Sequence, residues 1–199
     1  MNYKRVILMV ILVPLMIIAS ACDDSDETSS ESDYRFSFEE GMEGWSPDGT
    51  DLDNPPVQWS IQRSSELASD GEKGIKLFLD NVNDAGKIWI ERAFELDPDR
   101  QYKVEVEYDF ATSDWGDFNL WRIIAGVSSQ SPETAGDLTF HEDTGNRAEE
   151  DIGYIWLRKS HEFEAKTGSS GDLHVFIGVW GNWETPRTYY IDNLNVRFN

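Results

Sequence analysis

The stretch from Arg100 to Thr112, RQYKVEVEYDFAT, decides the fold because apolar and charged side chains alternate along it. The apolar register is Tyr102, Val104, Val106, Tyr108 and Phe110, and the charged register is Lys103, Glu105, Glu107 and Asp109. Successive side chains of a β-strand point to opposite faces of its sheet. The stretch therefore predicts a strand with one buried face and one solvated face.

Similar alternation recurs from Tyr34 onward, and no long stretch carries apolar residues at helical spacing. The other strand-like runs are Tyr34–Phe38, Val57–Gln62, Gly74–Leu79, Lys87–Leu96, Phe118–Ser128, Tyr154–Glu164, Leu173–Trp180 and Thr188–Phe198. Turn-forming residues separate them, as at 46–49 and 168–171, whereas Ser131–Asp151 is polar, unpatterned and typical of a mobile rim loop. About nine short strands without a helix predict an all-β sandwich or barrel.

Composition and charge narrow the function classes. The 199 residues include 38 Asp and Glu against 17 Lys and Arg, a formal net charge of −21. A chain this acidic gains nothing from counterion release on a nucleic acid, which excludes that partner. The 8 Trp, 7 Tyr and 10 Phe argue against a disordered acidic chain and favour one folded domain.

The N-terminus has the features of an export signal. Lys4 and Arg5 precede an apolar run, Val6–Ile18, that is too short to span a bilayer as a stable helix. The small residues 19–21 and then Cys22, the single cysteine, resemble the lipobox of bacterial lipoproteins, although Ala19 replaces the usual Leu. The resemblance implies that residues 1–21 are a signal peptide and that Cys22 is lipidated. The alternative is an uncleaved anchor with an inert cysteine.

Residues 23–33 contain only Asp, Glu, Ser and Thr, so they have nothing to bury and repel one another. We expect residues 22–33 to form a disordered acidic tether and residues 34–199 to form the folded domain. The lipidated cysteine would anchor this domain to a membrane on the extracytoplasmic side of the cell envelope.

Three motifs in the folded domain resemble those of one family. They are Phe36–Gly41 followed by Gly44 and Trp45, the proline turn Leu96–Val104, and the closing stretch Tyr189–Val196. Their order over residues 34–199 is similar to that in carbohydrate-binding modules of the jelly-roll, galactose-binding-like type. The resemblance implies two packed antiparallel sheets, glycan binding on a concave sheet face or in rim loops, and frequently one structural calcium ion.

The resemblance also implies the calcium ligands. Glu39 follows the first strand and Asp192 lies in the last one, where the family brings such residues together. Asp192 stands between Ile191 and Leu194 and needs a partner if it is buried. A calcium ion would supply that partner. The alternative is a solvated Glu39 and an Asp192 that accepts backbone N–H groups.

Tryptophans are the candidate ligand-binding residues, because a flat indole covers the apolar face of a sugar ring. Alternation places Trp89, Trp156 and Trp180 on the side of their strands that faces away from the core, while the register of Trp121 is undecided. Small and polar neighbours favour exposure of Trp115 and Trp183 in loops. The alternative is that each tryptophan is buried and only helps to stabilise the fold. The predicted ligand-binding residues are Trp89, Trp115, Trp121, Trp156, Arg158, Trp180 and Trp183.

The sequence thus predicts a lipid-anchored protein that binds a polysaccharide or oligosaccharide without altering it. The excess of acid favours a neutral glycan unless calcium, or Arg122 and Arg158, reverse the charge locally. One alternative is an interaction lipoprotein whose aromatic residues contact another envelope protein. Another is a small glycan-active hydrolase or lyase, although we find no catalytic motif, and the carboxylate row Glu105, Glu107 and Asp109 is typical of a solvated strand face.

Overall fold

The computed structural model of the chain describes residues 32–112, 121–141, 154–181 and 186–199, except for the side chain of Trp121. Within these ranges there are eleven strands, one short 3-10 helix at Ala135–Asp137, and no α-helix. The strands are β1 (Ser32–Phe36), β2 (Ser46–Thr50), β3 (Gln58–Ser64), β4 (Gly74–Asp80), β5 (Lys87–Glu95), β6 (Gln101–Thr112), β7 (Trp121–Ser128), β8 (Phe140–His141), β9 (Ile155–Lys166), β10 (Asp172–Gly181) and β11 (Pro186–Phe198). In the described part of the chain, no helix has the length and apolar character needed to cross a membrane.

The strands form two antiparallel sheets. One has the order β3-β4-β11-β6-β9 and gains β1 as a sixth strand on β11, and the other has the order β2-β5-β10-β7-β8. β11 is long enough to pair with β4 along its first half and with β1 along its second. Between the halves, its register against β6 shifts from Asp192 to Asn195. The predicted all-β, two-sheet sandwich is confirmed.

The main core lies between the sheets, where the apolar registers of the strands meet. On β6 the residues from Tyr102 to Phe110 alternate between buried and solvent-accessible side chains, as the sequence predicts. Rings from several elements close one end of this core. Trp45 packs edge-on against Phe36 at 5.5 Å, and Phe94 stands 5.1 Å from Phe198. Burial of this apolar surface is the main source of the sandwich's stability.

Two strands were not predicted. Ser46–Thr50 has a turn-like sequence, yet it pairs with β5 as β2. Phe140 and His141 form β8 against Ile124 and Ile123 of β7, inside the stretch predicted to be a mobile loop. The described half of that stretch, 131–141, lies against the sheet, and Leu138 is buried there. Expectations for 142–151 lie outside the described residues.

Candidate functional site

The candidate site lies on the outer face of the five-stranded sheet, the face that points away from the main core. Trp180 on β10 is paired with Lys87 on β5 and with Arg122 on β7. Because directly opposed residues point to the same face of a sheet, the three side chains form one row across three strands. We call Lys87, Trp180 and Arg122 the cation–tryptophan row.

The row contacts one further ring. Lys87 Nζ lies 4.9 Å from the centre of the Trp180 ring, and the Arg122 guanidinium carbon lies 5.7 Å from it. The same guanidinium carbon stands 5.4 Å from the centre of the Phe140 ring, which meets the Trp180 ring edge-on at 5.4 Å. Cations at these distances are attracted to the π-face of an aromatic ring.

The Trp180 indole is fixed in orientation while part of its surface stays accessible. Its Nε1 donates a hydrogen bond to the backbone carbonyl of Asp84 at 2.8 Å, and the side chain is half-buried. A ring that is already oriented loses little entropy when a ligand stacks on it. Trp180 therefore has the properties that stacking on a sugar requires.

Trp89 also points to this outer face, as its register predicts, but the prediction that it lines a ligand site is wrong. Its side chain is 0% exposed and packs in a second small cluster with Ile124, Phe176 and Leu138. Leu138 and Phe140 belong to the segment 131–141, which covers the middle of the sheet. The Trp89 Nε1 donates to Glu91 at 3.3 Å. Trp89 therefore has a structural role, which is the alternative that the sequence left open for each tryptophan.

Trp156 and Arg158 lie on the other sheet. They pair with Ala111 and Asp109 of β6, on the outer face of the six-stranded sheet, so they do not share a surface with Trp180. Trp156 is half-buried. Arg158 donates to the backbone carbonyl of Asn193 at 2.9 Å and forms an ion pair with Asp109 at 3.3 Å. A single groove lined by Trp89, Trp156 and Trp180 does not exist.

The two cations of the row differ in how they are compensated. Lys87 Nζ forms an ion pair with Asp51 at 2.7 Å and donates to the backbone carbonyl of Ala85 at 2.5 Å. Arg122 Nε is buried without a hydrogen-bond partner. Among the described residues, no carboxylate forms an ion pair with Arg122, whose contacts are the two aromatic rings.

Glu39 and Asp192, the predicted calcium ligands, both bind the turn 69–73 through its backbone. Glu39 Oε1 accepts the N–H groups of Glu72 at 2.8 Å and Lys73 at 2.9 Å, and these bonds lower the pKa of Glu39. Asp192 Oδ2 accepts those of Ser69 at 2.8 Å and Asp70 at 3.0 Å. Desolvation nevertheless raises the pKa of Asp192.

This donor set does not fit a calcium ion. Calcium takes oxygen ligands, whereas N–H donors already face Glu39 Oε1 and Asp192 Oδ2. No group of three or more metal-ligating side chains is found in the ranges that the structure describes. The contacts match the alternative in which Asp192 accepts hydrogen bonds from backbone N–H groups. Calcium binding stays an untested prediction.

Several predicted residues lie outside the described residues. They are Cys22 with the signal peptide 1–21 and most of the tether, and the loop tryptophans Trp115 and Trp183. Trp121 starts β7 and pairs with Gly181, but its side chain is also outside the described part. The polar residues near Trp115 and Trp183 in the sequence, which are candidates to bond sugar hydroxyls, also lie outside the described residues; they are Asp114, Asp117, Asn182 and Glu184.

The carboxylates in the row on β6 form ion pairs with lysine and arginine side chains. Glu105 forms ion pairs with Arg197 at 2.8 Å and with Lys103 at 3.4 Å. Arg158 lies 3.5 Å from Glu107 and 3.3 Å from Asp109. These contacts match the interpretation of the row as a strand surface.

Sequence reasoning missed two features. One is Phe140, whose ring contacts Arg122 beside Trp180. It lies in β8, a two-residue strand among polar residues, and so short a strand has no alternation from which to predict it. His141 and His161 bring their rings to 4.2 Å across the gap between β8 and β9, and the Tyr108 hydroxyl is hydrogen-bonded to His161 Nε2 at 3.2 Å. His161 falls in the core-facing register of β9, but the position of His141 depends on pairing with β7, which alternation alone does not predict.

No family model and no curated protein matches the chain. Solved structures do. A structure of carbohydrate-binding modules from the β-sandwich superfamily, described as promiscuous in specificity, aligns with a TM-score of 0.51 and 16% identity, over 80% of this chain and 59% of that chain. The module TmCBM61 in complex with β-1,4-galactotriose aligns with a TM-score of 0.49 and 16% identity, over 80% of this chain and 92% of that chain.

A family 22 xylan-binding module from Paenibacillus barcinonensis aligns with a TM-score of 0.49 and 15% identity, over 83% of this chain and 92% of that chain. At such identities the likeness concerns the fold. Structural neighbours of this chain thus include carbohydrate-binding modules, and it shares the β-sandwich fold of the module that aligns with a TM-score of 0.51.

Proposed function

We propose that the domain 34–199 binds carbohydrate without altering it, on the outer face of the five-stranded sheet. The observation that carries the proposal is the half-buried Trp180, which is held by Asp84 and flanked by two cations in the cation–tryptophan row. An oriented, accessible indole with polar neighbours is the arrangement that sugar recognition requires.

In this mechanism the apolar C–H face of a sugar ring stacks on the open part of Trp180. Arg122 donates hydrogen bonds to ring substituents, since its side chain is only partly buried and carries several N–H groups. Lys87 is buried and paired with Asp51, so it lies beside the indole without a free role in hydrogen bonding. Trp89 does not touch the ligand and instead supports the sheet from beneath the segment 131–141. The site is largely preformed, which keeps the entropic cost of binding low.

The fold supports the proposal. The aligned structures include modules described as binding galactotriose and xylan. β-sandwiches host many functions, so the fold alone does not assign carbohydrate binding. The proposal therefore rests on the residues of the candidate site.

The proposal includes a lipid anchor at Cys22, because the basic, apolar and small-residue segments that precede it resemble a lipoprotein signal. The anchor would hold the domain on the extracytoplasmic side of the membrane, with the acidic tether as a spacer. Mass spectrometry of the mature protein tests this: we expect an N-terminal diacylglyceryl-cysteine, and Cys22→Ala should release the chain from membranes. An intact N-terminus on a membrane-bound chain would contradict it.

Affinity electrophoresis through gels that contain neutral or acidic polysaccharides tests the binding function. We expect at least one polysaccharide to retard the wild type and Trp180→Ala to abolish the retardation. Trp156→Ala removes an indole from the opposite sheet and serves as the matched comparison.

Retardation that depends on Trp156 and not on Trp180 would move the site to the other face. If no polysaccharide retards the folded wild type, the function is not carbohydrate binding, and a protein partner becomes the better account of the exposed aromatic rings.

A further inference from the structure

Among the described residues, none provides an opposite charge for the guanidinium group of Arg122 at the candidate site. Its Nε is buried without a hydrogen-bond partner, and it has no ion pair with any carboxylate that the structure describes. Partial burial of a charge is costly unless an opposite charge or hydrogen bonds compensate it. The stacking on Phe140 and Trp180 supplies only part of that compensation.

We infer that the glycan bound at Trp180 carries a carboxylate, as uronic acids do, and that this carboxylate pairs with Arg122. The inference rests on the proposed function, because it names the class of ligand for the same site. A guanidinium presents its N–H groups in a planar fork that matches the two oxygens of a carboxylate. The Arg122 guanidinium carbon stands 5.7 Å from the Trp180 ring centre, so a sugar stacked on the indole brings its exocyclic carboxylate within reach.

Two other cations on the outer faces lack this property. Lys87, in the same row, is balanced by Asp51 at 2.7 Å. Arg158, on the opposite sheet, is balanced by Asp109 at 3.3 Å and by Glu107 at 3.5 Å. Of the arginines predicted to reverse the charge locally, only Arg122 is left with a positive charge that the described residues do not neutralise.

The net charge of −21 does not oppose this inference at physiological salt. The Debye length is about 8 Å at 0.15 M ionic strength, so exposed charges beyond that distance are largely screened. The charges next to the bound sugar therefore decide its preference. Beside the Trp180 ring these include Arg122, which has no ion pair among the described residues, and Lys87, which is paired with Asp51. The exposed Asp84, whose backbone carbonyl accepts the Trp180 N–H, adds one negative charge nearby.

Calorimetric titration at 0.15 M salt tests the inference with polygalacturonate and alginate, each beside its carboxyl-reduced form. Reduction replaces the carboxylate by a neutral hydroxymethyl group and leaves the sugar ring in place. We expect the wild type to bind at least one acidic polymer about tenfold or more tightly than its reduced form, as loss of a charge-assisted pair predicts. Arg122→Gln should remove this preference, and Arg122→Lys should keep part of it.

Arg35→Gln is the control, because Arg35 lies on β1 in the other sheet with a side chain that is 78% exposed, and its loss changes the net charge equally. We expect Arg35→Gln to bind like the wild type. Equal affinity for the acidic and reduced forms, failure to bind either acidic polymer, or a preference that survives Arg122→Gln would overturn the inference. In those cases binding of neutral xylan or galactan that needs Trp180 would leave the proposed function standing, whereas no binding of any polysaccharide would refute both.

Discussion

Trp180 Nε1 donates a hydrogen bond to the backbone carbonyl of Asp84 at 2.8 Å, which ties the end of β10 to the turn between β4 and β5. Asp84 in this turn has a positive φ of 55°. The side-chain amide of Asn81, in the same turn, donates a hydrogen bond to the backbone carbonyl of Gly181. The turn thus sets the angle at which the indole stands on the sheet. The orientation of the candidate stacking surface is a property of the fold and does not wait for a ligand.

Trp180→Phe should weaken glycan binding and leave the fold intact. The phenyl ring keeps the apolar surface but cannot donate to Asp84, so the ring loses its fixed orientation. Loss of one such bond is worth about 0.5–1.5 kcal/mol, which is about 2- to 12-fold in affinity. Calorimetric titration measures the change, and Trp156→Phe on the other sheet is the control. Unchanged affinity would show that the Asp84 bond does not matter.

Trp89→Ala should destabilise the protein by about 3–5 kcal/mol, because it removes a fully buried ring from the cluster with Ile124 and Phe176. Denaturant unfolding followed by circular dichroism measures the free energy of unfolding. Trp59→Ala, at a side chain that is 37% exposed, should cost much less. A Trp89→Ala protein of normal stability that fails to bind glycan would contradict the structural role of Trp89.

Acid should weaken the contact between β8 and β9 through His161. Burial, His141 and Lys159 lower the pKa of His161 from 6.5 to about 4 in the folded chain. The unfolded chain therefore takes up a proton first as the pH falls, so the stability that neutral His161 contributes is complete above pH 6.5 and is lost toward pH 4. Partial exposure to solvent reduces the loss to about 1–2 kcal/mol.

Unfolding midpoints between pH 7.5 and 4 test this expectation. His161→Gln keeps a polar side chain beside the Tyr108 hydroxyl but cannot titrate, so its stability should fall less than that of the wild type over that interval. Parallel curves for the two proteins would assign the acid sensitivity to other groups.

Asp192→Ala should destabilise the protein by about 1–3 kcal/mol, because the N–H groups of Ser69 and Asp70 lose their acceptor. Glu95→Ala, at an exposed position on β5, is the control. Because N–H donors face both carboxylates, we also expect a calcium chelator to leave the melting midpoint of the wild type unchanged. A lower midpoint in chelator, restored by calcium, would favour the calcium site that the sequence predicts.

Alternation predicted the sandwich because each long strand has one face in the main core. The registers of β5, β6, β9 and β10 are those expected from their sequences, and Trp89, Trp156 and Trp180 all point away from that core. β2 escaped prediction because Ser46–Thr50 becomes a strand only through pairing with β5. Local sequence does not encode such a long-range contact.

The candidate site was predicted in part, since alternation identifies the face of a strand but not the sheet to which the strand belongs. It therefore could not separate Trp156, on β9 of one sheet, from Trp180, on β10 of the other. It also could not show that Leu138 covers Trp89, because the two are far apart in the chain. The pairing of Arg158 with Asp109 likewise depends on the tertiary structure, and so does the finding that no described carboxylate forms an ion pair with Arg122.

Binding of sugar at Trp180 is tested by a nuclear magnetic resonance titration that follows the indole N–H signals of the tryptophans while an oligosaccharide of a bound polysaccharide is added. We expect the largest shift at the Trp180 indole, with a second group of shifts at the Arg122 side chain and Phe140. The Trp89 and Trp156 indoles should move little. Largest shifts at Trp156, with Trp180 unmoved, would contradict the placement of the site on the five-stranded sheet.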